Sequence, residues 1–130
     1  MPDNFDYSIH TDIKIGPLKL VDIPKLSSVV TEHWFNQSLC VVNDCVVRMG
    51  VFQKGDFHWH KHDHEDEFFF VLEGQFVIEL RDQTVTLNKH QGFTVPRGVE
   101  HCPHVPAPQM RHSTTATSGT LPFRPEYENW

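Results

Sequence analysis

GDFHWHKHDHEDEFFFVLEG, residues 55–74, decides how this chain is read. Histidines stand at every second position, His58, His60, His62 and His64, and Glu65, Asp66 and Glu67 follow at once. In an extended strand side chains alternate between faces, and residues two apart project from one face roughly 6–7 Å apart. Two imidazoles at that separation can lean onto one ion, so H-x-H on a strand is a workable chelate. The pairs His58/His60, His60/His62 and His62/His64 all have this form. A third ligand is expected from the neighbouring strand after a short turn, and Glu67, which opens the run EFFFVLE, meets that need. With His60, His62 and Glu67 as ligands, the segment DHED at 63–66 is the turn between them, too charged for a core strand. A fourth ligand has to come from elsewhere, and His101, just beyond the turn Pro96-Arg97-Gly98, is the best placed.

Outward from this stretch the text is strand-like. Residues 13–21, IKIGPLKLV, alternate weakly and predict a short edge strand broken by Gly16-Pro17. Residues 24–35 predict a turn or two of helix starting near Pro24. Residues 39–52, LCVVNDCVVRMGVF, read as two strands joined at Asn43-Asp44. Residues 56–62 alternate, with Phe57, Trp59 and Lys61 on one face and the histidines on the other. EFFFVLE at 67–73, FVIEL at 76–80, TVTL at 84–87 and GFTVP at 92–96 are further strands, divided by turns at Gly74, 81–83 and 96–98. Many short strands with a turn about every ten residues argue for an all-β barrel or sandwich. After His101 five of the nine prolines lie between 103 and 125, and QMRHSTTATSGT lacks apolar alternation. Residues 106–130 therefore read as an irregular tail or a poor closing strand.

The same residues resemble the cupin superfamily. Its first motif reads approximately G, five residues, H-x-H, three or four residues, E, six residues, G. Here His60-Lys61-His62, four residues, Glu67, six residues and Gly74 match, with Gly55 one residue closer than the pattern asks. His62/His64 leaves only two residues before Glu67 and His58/His60 leaves six, so the resemblance selects His60 and His62. The second motif reads approximately G, five residues, P-x-G, two residues, H, three residues, N. Pro96-Arg97-Gly98, two residues and His101 match; His90 replaces the first glycine and Val105 the asparagine. The resemblance covers roughly residues 18–105 and is nearest to small single-domain cupins of mannose-6-phosphate-isomerase-like type. It implies an all-β cupin-type double-stranded β-helix, or jelly-roll barrel, with a short helical turn near the N-terminus. It also implies one divalent transition metal (Fe, Mn, Ni, Cu or Zn) on His60, His62, Glu67 and His101, and a homodimer.

At 130 residues the chain is expected to be a single domain. A net charge of −6 gives no basic footprint, which argues against nucleic acid and anionic membranes as partners. No apolar run approaches the roughly 18 residues of a membrane span, and MPDNFDYSIH has no signal-peptide layout, so a cytoplasmic protein is expected. Cys40, Cys45 and Cys102 form an odd set without CxxC, which reads as buried or free thiols.

Other residues carry two readings each. His58 shares the parity of His60 and is either a proton carrier lining the cavity or a rim histidine in water. His64 and His104 read as exposed. Arg48 either faces inward as an anion anchor or, the commoner case, lies partly exposed on the outer face. Phe69 is core or the wall of a dry pocket. Three imidazoles and one carboxylate suit an ion with room left for water or substrate, unlike the thiolate sets of closed zinc sites. Three functions follow, all on a small molecule. The first is a metal-dependent dioxygenase or related oxidoreductase, which the likeness of the ligand set to cupin dioxygenases favours. The second is an isomerase or lyase of a sugar-like carbonyl compound, with His58 or Glu67 as catalytic base. The third is a binding module without chemistry.

Overall fold

The computed structural model describes residues 7–53, 55–106 and, for the backbone alone, 113–120. Ten strands and one helix run in the order β1 (Tyr7–His10), α1 (Ile23–Ser27), β2 (Trp34–Val42), β3 (Cys45–Phe52), β4 (Gly55–Asp56), β5 (Glu67–Glu73), β6 (Phe76–Leu80), β7 (Thr84–Leu87), β8 (Gly92–Val95), β9 (His101–Val105) and β10 (Ser113–Thr120). They form a six-stranded sheet, β1-β2-β3-β10-β5-β8, and a four-stranded sheet, β4-β9-β6-β7. The result is the expected jelly-roll architecture. Among the described residues no helix is long and apolar enough to cross a membrane.

Alternation decides what lies between the sheets. Trp34, Asn36 and Ser38 of β2 pair in register with Phe52, Gly50 and Arg48 of β3 and share one face. Trp34 and Phe52 stack with centroids 4.2 Å apart, and with Phe57, Phe69, Val71, Phe76, Ile78, Leu87, Val95 and Val105 they fill one core. Each such large apolar side chain contributes about 1.5–3 kcal/mol by leaving water, so this apolar end can hold the barrel together around a polar remainder. The opposite face of β2 and β3 buries Leu39, Met49 and Val51 under the N-terminal segment, through Val30 and the partly buried Val21, Ile23 and Leu26. Helix α1 starts as its sequence predicts: Asp22 caps it, accepting from the Lys25 amide at 3.1 Å, and proline stands in the first turn.

Two expectations need correction, and one open alternative is decided. Residues 13–21 form no strand; the amides of Lys14 and Ile15 donate instead to the carbonyls of Ser38 and Leu39, at 3.2 and 2.7 Å, where β2 bulges. Residues 56–62 are not one strand either. The ladder to β9 stops at Asp56 and resumes only as a bridge between His60 and His101. The Phe57 amide donates to the Pro103 carbonyl at 2.8 Å, but proline has no N–H to return the bond. The backbone is thereby free to turn Phe57 into the core, against the parity it shares with exposed Trp59 and Lys61. Of the two readings of the tail, residues 113–120 form the closing strand. β10 runs antiparallel to both β3 and β5 and completes the large sheet between them. The remainder of the expected tail, 107–112 and 121–130, lies outside the described residues.

Candidate metal centre

The two histidine-bearing segments are tied by backbone. His60 and His101 exchange N–H···O=C bonds of 3.0 and 2.9 Å. The turn after Pro96 places Gly98 at φ +79, a conformation that disfavours any side chain, and the Gly98 amide donates to the His62 carbonyl at 2.9 Å. One residue before Glu67, Asp66 Oδ1 accepts from both the amide and the Nε of Arg97, at 2.9 and 3.2 Å. That pairing draws the exposed Asp66 carboxyl below its ordinary range, the backbone amide being the larger cause.

His60, His62, Glu67 and His101 are all buried, and each offers one ligand atom within 4.8 Å of the others. Glu67 Oε1 lies 3.1 Å from His62 Nε2 and 3.4 Å from His101 Nε2. Glu67 Oε1 and His101 Nε2 nevertheless have no hydrogen-bond partner. Two ligands about 2.1 Å from one ion and 90–110° apart are themselves about 3.0–3.4 Å apart, so these separations are those of donors around a cation. The tautomers agree. A carbonyl oxygen can only accept, so His60 Nδ1 donates to the His58 carbonyl (2.9 Å) and His101 Nδ1 to that of Val99 (3.0 Å). Each Nε2 is left with its lone pair turned to the site.

Electrostatics keeps the set in ligating form. Burial, then repulsion from His101, pushes the His60 imidazole down to about 3, so it is neutral at physiological pH. Burial alone would raise the Glu67 carboxyl, but the imidazoles of His101 and His62, then the charge of Arg48, hold it well below the usual carboxylate range. No thiolate joins the set. Buried Cys102 points its Sγ at the Phe57 carbonyl, 3.3 Å away, and burial followed by Glu79 and Asp56 pushes its thiol up to about 11. Three nitrogens and one oxygen suit a divalent transition ion with positions left for small molecules.

The other sequence candidates fall at different distances from this group. Phe69 is buried with its ring 6.1 Å from that of His101 and edge-on to it, and so walls the site. His58 is half-buried beside it, its ring 4.0 Å from Phe57 and 5.2 Å from His60. His64 is exposed as expected, whereas His104 is half-buried with Nδ1 3.5 Å from Glu79. Arg48 corrects the outer-face expectation: it is 1% exposed and faces inward, Nη2 3.8 Å from Glu65 Oε1. Glu65 is the residue sequence reasoning missed. It lies in the charged turn 63–66 and yet is 3% exposed. Flanked by His64 and Asp66, both exposed, it carries no local sign that it turns inward.

Comparison with known proteins agrees with this geometry. Residues 48–115 match the family profile described as Cupin domain, Cupin_2. A protein of Bacillus subtilis (strain 168), the uncharacterized YdbB, is 36% identical over 84 residues, covering 64% of this chain and 74% of its own. A cupin-2 domain containing protein from Shewanella frigidimarina superposes with a TM-score of 0.69 at 28% identity, over 78% of this chain and 94% of that one. KdgF from Halomonas sp. superposes with a TM-score of 0.60 at 20% identity, over 70% and 80% of the two chains, a likeness that shows the fold alone.

Proposed function

This chain belongs to the cupin-domain family Cupin_2, and from that premise we propose that it is a metal-dependent enzyme of dioxygenase type acting on a small polar molecule. The observation that supports this most is the convergence of four buried donors, two of them with ligating atoms that have no hydrogen-bond partner. A divalent transition ion held there supplies Lewis acidity and, when redox-active, one-electron chemistry towards dioxygen. The chain's own residues do the rest. The carbonyls of His58 and Val99 fix the ring orientations of His60 and His101. Phe69 and the apolar core beyond it exclude water from one side. Glu67, held ionised, would offset part of the ion's charge and offers a carboxylate oxygen that can accept a proton from a bound substrate.

Half-buried His58, in ring contact with His60, favours a second reading, a metal-dependent isomerase or lyase in which its imidazole carries the proton of an α-carbon. Elemental analysis of protein purified without added metal, beside His62→Ala, comes first; full metal occupancy in that variant would refute the ligand set. Oxygen uptake by the Fe(II)-loaded protein with a catechol or enediol is then expected for the dioxygenase. Turnover without oxygen under Zn(II) or Mn(II), lost in His58→Ala, would give the second reading instead. Ligand-dependent stabilisation with no turnover under any metal would reduce the protein to a binding module.

A further inference from the structure

The two histidine segments meet where the small sheet is least regular. Pairing between β4 and β9 ends at Asp56 and His104, and His60 and His101 stand beyond it as an isolated bridge. A short, isolated backbone pairing opens more readily than the interior of a ladder. On the outside of the barrel, side chains cross this place. Leu80 pairs in register with His101, so Arg81 and Glu100, each one residue off that pair, turn to the opposite face, away from the donors. Their side chains are 59% and 50% exposed, and Arg81 Nε donates to Glu100 Oε1 at 3.1 Å. The same guanidinium lies over the indole of Trp59, Cζ 3.8 Å from the ring centroid. Trp59 immediately precedes His60, in the segment that flanks β9 on the side away from β6. Arg81 therefore spans β9 from one neighbour to the other. A planar guanidinium suits this double contact, since its face stacks on an aromatic ring while its edge donates to a carboxylate.

We propose that Arg81 is a positioning residue of the metal centre, clasping Trp59 and Glu100 from outside the barrel and thereby fixing the aim of His60 and His101. This rests on the metal-dependent reading above and adds how the donor geometry is kept. The link runs through two peptide units. His60 Nδ1 donates to the His58 carbonyl, which shares a planar peptide unit with the Trp59 amide. His101 Nδ1 donates to the Val99 carbonyl, which shares one with the Glu100 amide. Holding Trp59 and Glu100 to one guanidinium therefore holds both acceptors that orient the two imidazoles, whose rings lie 4.2 Å apart. Arg81 itself touches no donor atom and acts only through this backbone.

The test is the Zn(II) affinity of the full chain, read by competition with a chelator. Arg81→Ala is expected to weaken it about threefold to tenfold, less than the loss of a group bonded to a ligand, because the clasp acts one peptide unit further out. The melting temperature of the EDTA-treated variant is expected to stay within about 2 °C of the parent, since exposed pairs add little to global stability. Trp59→Ala is expected to match Arg81→Ala, and Trp59→Phe, which keeps a ring under the guanidinium, to stay within about twofold of the parent. The double variant Arg81→Ala/Trp59→Ala is expected to bind no more weakly than either single one, because both break the same clasp. Parental affinity in Arg81→Ala would overturn the proposal, and so would losses that multiply in the double variant. A fall of more than about 5 °C in the metal-free melting temperature of Arg81→Ala would also overturn it, since Arg81 would then hold the fold and not the donors. If the parent chain binds no zinc, the metal reading fails by itself. The clasp is then judged by hydrogen exchange of the metal-free chain: the His60 and His101 amides are expected to exchange at least about threefold faster in Arg81→Ala, with those of β2 and β3 unchanged, and equal rates at His60 and His101 would refute it.

Discussion

At the scale of single residues, the site divides into groups that would touch an ion and groups that hold them still. Glu67→Gln keeps the shape and removes the charge; its affinity for Zn(II), read by competition with a chelator, is expected to fall at least tenfold. Asp66 touches no ligand atom, but it pins Arg97 and so the turn whose Gly98 holds the His62 carbonyl. Asp66→Ala is expected to cost about tenfold in metal affinity, the order seen when a group supporting a ligand is lost. Asp66→Asn, which can still accept from the Arg97 amide, is expected to retain most of it. Cys102, with its thiol raised to about 11, is expected to resist iodoacetamide at pH 8 in the folded protein and to react once it is unfolded. The clustering of His60, His62, Glu67 and His101 is legible in the sequence because a chelate needs set spacings along a strand and around a turn. Glu65 was not, because its burial opposite Arg48 depends on a strand that lies elsewhere in the chain.

Among the elements, β5, β6 and β7 have the bounds their alternation and turn residues predict, since each strand's pattern is complete within itself. The segments that defied prediction depend on partners. Residues 57–62 leave the ladder at Phe57, where Pro103 across from it offers a carbonyl but no N–H. β10 has a threonine-rich text without an apolar rhythm, yet it occupies an interior position of the large sheet, between β3 and β5. Its place is set by the two strands that need their open edges covered. Thr117 stands between Arg48 and Phe69 in that ladder. Thr117→Pro removes a ladder hydrogen bond from a strand flanked on both sides and is expected to lower the melting temperature by more than about 10 °C, measured by circular dichroism. A shift of only a degree or two would mean that β10 contributes little to closure.

For the molecule as a whole, the buried site makes stability depend on acidity. His60 binds a proton near 6.5 when unfolded but only near 3 when folded, so the unfolded state gains protons first as pH falls. Glu67, depressed well below its ordinary value, acts in the same direction at lower pH. Both contributions are therefore complete above about pH 6.5 and are lost on acidification. For His60 alone the loss amounts to roughly 1.4 kcal/mol per pH unit between pH 6.5 and 3. Denaturant titration of EDTA-treated protein is expected to show this slope, and a flat profile from pH 7 to 4 would contradict it. The position of β10 reaches further still. Its hydrogen-bonding partners begin at residue 45, so on the ribosome the large sheet keeps a gap until residue 120 has been translated and has cleared the exit tunnel. All four donors are synthesised before that, by residue 101, so a nascent chain presents its histidines to cellular metal while the vessel meant to enclose them is still open.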